Sequence, residues 1–512
     1  MWILLAFVPS GLILSTTTFL TTDIVAMPLL WVAPLGLYLL SFTFAFAERR
    51  GAAALIVRAA PFLMLPLVAL AVQPVAGRPL MTALAALALL FVVSVALHAR
   101  LYDARPSPRH LTGFYLAMAL GGALGGAFAA LVAPLAFDWS YEHPLLLLAA
   151  AALVPLWPAP GAAGRAVAVA GPALIALIVA AALARIGPFG AAQGMGLAAL
   201  LIGVVAIGCA GRRGAFVAAI LGILLVSGGA DALSLSRQPG ARMRSYFGIY
   251  TVRDRAGVRV LAHGTTAHGL QRLAGAERLR PTSYYGAGSG IGRALTALPG
   301  IAGPGARVGV VGLGAGTLAC YARPGQHWRF FEIDPLMVKV ARTRFSFLSG
   351  CAPGPGPGAE IVIGDARLSL ARVPPASFDL LALDAFSSDA VPMHLLTGEA
   401  FALYRRVLAP DGLLLVHITN RHLRLEPVIA QAAMAGGWSA RLFDNRVRPG
   451  TPAARLENSS IWVALSPDPA VIDAAAPRSP GGWRALRPMP GFAGWSDDYG
   501  SILPLIRTGQ RR

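Results

Sequence analysis

The stretch ARVGVVGLGAGTLACYA, residues 306–322, decides the fold of the second half of the chain. A short apolar run enters a glycine-rich turn, and a helical start follows. A buried strand, a tight turn and a helix form the repeating unit of a parallel sheet. The alternation continues outward. HWRFFEID (327–334) reads as a second strand ending in acids. After the loop CAPGPGPG, AEIVIGDARLSLARV (359–373) gives a third strand with an acid at its end. FDLLALDAF (378–386) and LLLVHITN (413–420) are the fourth and fifth strands, the last introduced by the turn APDG. This order predicts a parallel, doubly wound sheet, whose ligands sit outside the carboxyl ends of its strands. The acids collect at those ends. Upstream, SYFGIYTVRDRAGVRVLAHG (245–264) reads as a β-hairpin with DRAG as its turn. TTAHGLQRL follows, and then PTSYYGAGSGIGRALTAL, a loop leading into a helix.

The turn carrying Gly312, Gly314 and Gly316 suits dinucleotides and adenosyl-sulfonium compounds alike. The acids separate the two. Glu332 ends the strand after the glycine loop, where a carboxylate can take both ribose hydroxyls. Asp365 ends the next strand, where an acid can accept from an adenine amino group, and a nicotinamide enzyme has no standing need for it. Together these features point to S-adenosylmethionine or a derivative. A helix cap at Asp365 would explain one of the three features and not the set.

The first half is of another kind. The chain has 512 residues, 56% of them hydrophobic, and its mean hydropathy of +0.63 is too high for a soluble protein of this size. The excess lies before about residue 230. Apolar stretches of spanning length, about 20 residues, occur around 24–46, 53–74, 79–98, 110–135, 166–184, 190–210 and 214–230. A shorter one lies at 144–157, and residues 1–20 add another that lacks the basic start and cleavage site of a signal peptide. Seven to nine helices are expected. HARLYDARPSPRH (98–110) is basic and should be cytoplasmic, while FDWSYEH (137–143) is acidic and should lie outside. Counting forward with 144–157 as a full span puts the later domain outside. A cytosolic metabolite as substrate puts it inside and makes one stretch, 144–157, re-entrant or miscounted. The expectation is an inner-membrane, multi-pass protein with a cytoplasmic catalytic domain.

Within LTGFYLAMALGGALGGAFAALVAPLAF (111–137), Gly121, Gly122, Gly125 and Gly126 form a small-residue face suited to close helix packing. Asp23, bordering a span, either caps a helix or lines a polar cavity. The net charge of +19 comes almost wholly from scattered arginine, with Lys339 the only lysine. Nucleic-acid binders usually cluster such charge, so nucleic acid is not an expected partner. Cys209, Cys320 and Cys351 sit in unrelated contexts, with neither a disulfide framework nor a metal spacing.

The motifs GLGAGTLA, FEIDP, IGDAR, LDAFSSDAVPMHLLTGEAF and the terminal WSDDYGSILPLIR resemble the spermidine synthase-like (polyamine aminopropyltransferase) proteins. LAHGTTAHGLQ, PTSYYGAGSGIG and LTGFYLAMALGGALGG resemble the bacterial branch fused to a multi-pass membrane region. The resemblance implies a multi-pass α-helical membrane domain (1–230), a small β-rich subdomain (242–290) and an α/β Rossmann-like, methyltransferase-type catalytic domain (291–512). It implies displacement at the side chain of decarboxylated S-adenosylmethionine or S-adenosylmethionine, releasing 5′-methylthioadenosine, with no metal. Asp384 matches the catalytic aspartate, which would accept the amine's proton. Gly312, Gly314, Gly316, Glu332, Asp365, Ala366 and Gln271 would hold the sulfonium nucleoside. Tyr284, Tyr285, His268 and Asp389 would meet the acceptor, although Asp389 stands two residues from the usual second acid and could equally cap a helix.

Soluble members of that family carry an aspartate in the glycine loop where this chain has Ala315, and no acid follows Tyr284-Tyr285-Gly286. Expected partners are a polyamine or related amine, the lipid bilayer and a second copy of the chain. Alternative readings are self-cyclisation of S-adenosylmethionine, methyl transfer, or a polyamine transporter or sensor whose soluble domain only binds.

Overall fold

The structure is a computed structural model describing residues 1–21, 31–72, 79–157, 164–186, 194–208, 211–264, 266–351, 359–385, 392–420, 422–448, 450–451, 456–479 and 482–507. It divides into two units, Met1–Tyr246 and Phe247–Arg512. The first extends past the expected boundary at 230 because its last helix runs to Ser236 and a short strand, β1 (Arg242–Ser245), follows. Arg244 of that strand is tied to Glu142 through both guanidinium nitrogens at 2.8 Å.

Among the described residues of the first unit, five helices are long and apolar enough to cross a membrane: α1 (Trp2–Phe19), α3 (Gly51–Val72), α4 (Leu80–Asp103), α5 (Pro108–Ala136) and α9 (Arg213–Ser236). Four are shorter: α2 (Val32–Ala45), α6 (Glu142–Leu153), α7 (Ala170–Leu183) and α8 (Gly194–Gly208). The expected glycine face is used for packing at two of its four positions. A Cβ on Gly121 would stand 2.4 Å from the Ile3 carbonyl, and one on Gly125 2.2 Å from that of Phe7. Only glycine lets α5 approach α1 so closely. Gly122 and Gly126 face open space or looser neighbours. Two buried histidines of the unit pair with serines on other helices. Ser15 Oγ lies 2.9 Å from His143 Nδ1 and Ser41 Oγ 2.8 Å from His98 Nδ1. Asp23 and Cys209 lie outside the described residues.

In the second unit, strands β2 (Gly248–Arg255), β3 (Val258–His263) and β4 (Thr266–Arg272) form an antiparallel meander. The expected DRAG turn closes β2 onto β3, with Ala256 and Gly257 both at positive φ (50° and 76°), the conformation that suits a two-residue hairpin loop. The larger sheet contains β5 (Arg307–Val311), β6 (His327–Glu332), β7 (Glu360–Ile363), β8 (Phe378–Leu383) and β9 (Leu408–His417), all parallel in the order β9-β8-β5-β6-β7. The sheet is not wholly parallel as expected. β11 (Ser460–Ser466) pairs antiparallel with β9, and β10 (Ser439–Asn445) antiparallel with β11. Alternate residues feed two cores: Val311, Leu381, Leu383 and Leu414 on one face, Val308, Val310, Leu380 and Leu413 on the other. Both faces are covered, which is why these strands read as continuous apolar runs.

One expectation about the cysteines is overturned. Cys320 and Cys351 are disulfide-bonded, with Cα atoms 4.7 Å apart across a sequence separation of 31. The turn after the glycine loop (Thr317–Tyr321) and the short helix Phe347–Cys351 bring them together. No local spacing rule reports such a pairing.

Candidate active site

The carboxyl ends of β5, β6, β7 and β8 open into one cleft, lined by Gly312, Gly314, Glu332, Asp365, Ala366 and Asp384. Tyr250, His263, His268, Tyr284 and Tyr285 form the opposing wall. Gly312 has φ +95°, and a Cβ there would stand 2.3 Å from the Asp384 carbonyl, so the turn needs glycine. Gly316, at φ +82°, is not among the residues that line the cleft; a Cβ there would stand 2.8 Å from Leu348 Cγ.

Glu332 is buried and accepts from two backbone N–H groups, Leu313 (2.9 Å) and Asp334 (2.9 Å). It therefore braces the glycine loop as well as facing the cleft. Burial raises its carboxyl above the usual range, and the backbone donors offset part of that rise. Asp365 is both cap and cleft residue. One oxygen accepts from Leu368 N–H at 2.9 Å, and the other lies 3.3 Å from His394 Nε2.

Asp384 directly follows β8, and its side chain is only 5% exposed. One oxygen lies 2.6 Å from His417 Nδ1, and the other accepts from the Tyr285 hydroxyl. His417 Nε2 is 2.6 Å from Thr419 Oγ1, which also accepts from Ile461 N–H at 2.8 Å. The His417 ring lies between Trp462 (4.5 Å, 11°) and Tyr284 (4.9 Å, 32°). Both tyrosine hydroxyls have raised pKa values, chiefly from burial and then from Asp384, so they remain donors at neutral pH. This arrangement presents Asp384 to the cleft as a hydrogen-bonded carboxylate, both of its oxygens held in place by His417 and Tyr285.

The opposing wall is neutral. Burial pushes His263 down to about 4 and His268 to about 3. His268 Nε2 is buried with no hydrogen-bond partner among the described residues, leaving it available to a ligand. Ala315 is fully buried, and a Cβ on Gly269 would stand 2.5 Å from its Cβ. No space remains there for an acid.

The expected site residues thus meet, with exceptions. Gln271 is absent from the cleft wall. Its amide donates to Ser346 Oγ (2.8 Å) and accepts from Ser346 N–H (3.1 Å), fastening β4 to the loop before Phe347. Asp389 lies outside the described residues. Sequence reasoning missed His417, His263, Thr419 and Trp462. The available signal for His417 was its place at the end of the strand beside Asp384, since Leu383 pairs with Val416 in parallel register.

No protein-family model matches the chain. A polyamine aminopropyltransferase of Vibrio vulnificus (strain CMCP6) is 28% identical over 116 residues, which is 22% of this chain and 37% of that protein. The match thus spans little more than a third of the curated relative. Among solved structures, a probable spermidine synthase from Corynebacterium glutamicum aligns at 18% identity over 45% of this chain and 80% of its own, with a TM-score of 0.36. The spermidine synthase of Thermotoga maritima aligns at 16% identity over 46% and 74%, with a TM-score of 0.32. A TehB-like SAM-dependent methyltransferase from C. glutamicum aligns at 18% over 34% and 85%, with a TM-score of 0.25. In sequence, part of the chain is similar to a polyamine aminopropyltransferase.

Proposed function

We propose that the chain is a membrane-anchored, spermidine synthase-like transferase acting on an adenosyl-sulfonium substrate. The observation that carries this is the convergence of Glu332, Asp365 and Asp384, from the ends of three parallel strands, on one cleft beside the glycine loop. Glu332 would hold the ribose and Asp365 the adenine amino group. An acceptor amine attacks the carbon next to sulfur; the C–N bond forms, the C–S bond breaks, and neutral 5′-methylthioadenosine leaves. The amine's proton passes to Asp384, with His417 and the Tyr285 hydroxyl steadying the carboxylate.

Anchoring is supported by the apolar helices and by what they expose. Leu116, Leu131 and Leu135 of α5 are 69%, 57% and 74% exposed, a surface that calls for hydrocarbon rather than water. Ala315 in the glycine loop favours a second reading. Without an acid there, one source of repulsion toward the carboxylate of S-adenosylmethionine itself is absent. That carboxylate could displace its own sulfonium, giving homoserine lactone and methylthioadenosine with no proton transfer.

Product analysis tests both. Purified chain in detergent is incubated with S-adenosylmethionine or its decarboxylated form, with and without putrescine. Amine-dependent release of methylthioadenosine is expected. Release at full rate without amine selects cyclisation, and no release from either donor ends the transferase reading.

A further inference from the structure

The helical unit has one strongly basic end, while the other mixes Asp138, Glu142 and Asp231 with Arg237, Arg242 and Arg244. Trp2 Nε1 donates to Ala104 O at 2.9 Å, setting the start of α1 beside the end of α4. Arg50, before α3, pairs with Asp103. Arg100 donates to Leu153 O at the end of α6, and Arg213, at the start of α9, donates to Val154 O at 3.2 Å. This end gathers Arg49, Arg50, Arg100, Arg105, Arg109 and Arg213.

At the other end, Phe19 stacks on His143, so α1 finishes beside the start of α6. Ser236, closing α9, donates to Asp138 Oδ1 at 2.9 Å. Glu142 holds Arg244, and Arg242 lies over Trp139. Helix α6 therefore reaches from one end of the unit to the other, and α9 runs from the basic end to the mixed one. The chain leaves the unit at the mixed end.

We infer that the basic end faces the cytoplasm and that the unit beginning at Phe247 works on the opposite, oxidising side of the membrane. The inference rests on the membrane reading above. Arginines in short loops mark the cytoplasmic face. Arg237, Arg242 and Arg244 precede a large domain, where that rule has least weight, and Arg244 is neutralised by Glu142. The Cys320–Cys351 disulfide is an independent pointer, because such bonds persist in oxidising compartments and are rare in the cytosol. Both observations oppose the cytoplasmic placement expected from the substrate. A charged sulfonium nucleoside does not cross hydrocarbon unaided, so a transport step must supply the substrate to this side.

The test uses the full chain fused at its C-terminus to alkaline phosphatase, which matures only in an oxidising compartment, or to green fluorescent protein, which matures in the cytoplasm. Fusions placed after Arg105 serve as the opposite control. Thiols in intact cells are alkylated before non-reducing mass spectrometry. Active phosphatase, loss of fluorescence, the reverse pattern after Arg105 and a linked Cys320–Cys351 peptide are expected. Fluorescence with inactive phosphatase in a carbonate-resistant protein overturns the sidedness alone. Release of the chain by carbonate overturns the membrane reading beneath it. Free thiols at both positions in an outward-facing protein overturn the oxidised pair.

Discussion

Each unit buries a carboxylate that receives two donors, and the two differ in what lies beyond. Glu142 in the helical unit meets both nitrogens of Arg244, with side-chain exposures of 2% and 6%. Asp384 in the second unit meets His417 and Tyr285, with its own side chain 5% exposed. Glu142 is held by a permanent cation that cannot take or give a proton. Asp384 is held by an imidazole and a phenol and borders an open cleft. Burial and pairing alone therefore do not mark a reactive acid. What distinguishes Asp384 is the protonic character of its partners and access from one side.

The largest expected effect tests that distinction directly. Asp384→Asn keeps the shape and removes the base, so methylthioadenosine release should fall about 10²–10⁴-fold while thermal unfolding changes little. Unchanged release would make Asp384 as structural as Glu142. His417→Gln should lower kcat and displace the acidic limb of the pH–rate profile, a change that lost packing alone does not produce.

Glu142→Ala should do the converse. Leaving Arg244 buried and unpaired costs about 3–5 kcal/mol, read as earlier unfolding of the full chain in detergent, with activity of the folded fraction intact. A neutral result would show the pair to be solvated in the folded protein.

A pH series sharpens the comparison from the cleft side. His263 and His268 have folded pKa values depressed to about 4 and about 3 by burial, so the unfolded chain binds more protons below pH 6.5. Their contribution is fully present above that value and is lost as pH falls, on the order of 3 kcal/mol per histidine across the window. Denaturant titrations of wild type and His268→Gln should diverge between pH 6.5 and 4, with the variant less acid-sensitive. Parallel curves would place His268 in water.

The smallest effect concerns Glu332. Its loss removes a charge-assisted contact, and Glu332→Ala should weaken methylthioadenosine binding by about 1.5–3 kcal/mol by calorimetry. Unchanged affinity would reduce Glu332 to a brace for the glycine loop, a structural acid like Glu142.

Glu332, Asp365 and Asp384 were legible in the amino-acid sequence because a parallel strand delivers its last residue to one edge of the sheet. The run of apolar residues before each acid identifies that edge. Gly312 was legible for a related reason, since a turn at that edge demands positive φ. Gln271 was misread because its position in β4 is local, whereas its partner Ser346 lies 75 residues away.

The sequence by itself determined the division into an apolar helical half and an α/β half, and it determined which acids end which strands. Both are carried by composition and short-range periodicity, which neighbouring residues set without help from distant chain. Only the tertiary structure decided that His417 and Tyr285 occupy the two oxygens of Asp384, that β10 and β11 run antiparallel at the edge of the sheet, that Cys320 meets Cys351, and that α6 joins the basic end of the helical unit to the opposite one. Each of these is a pairing across tens of residues or more. Such pairings are fixed by register and packing, and no single segment contains the information that selects them.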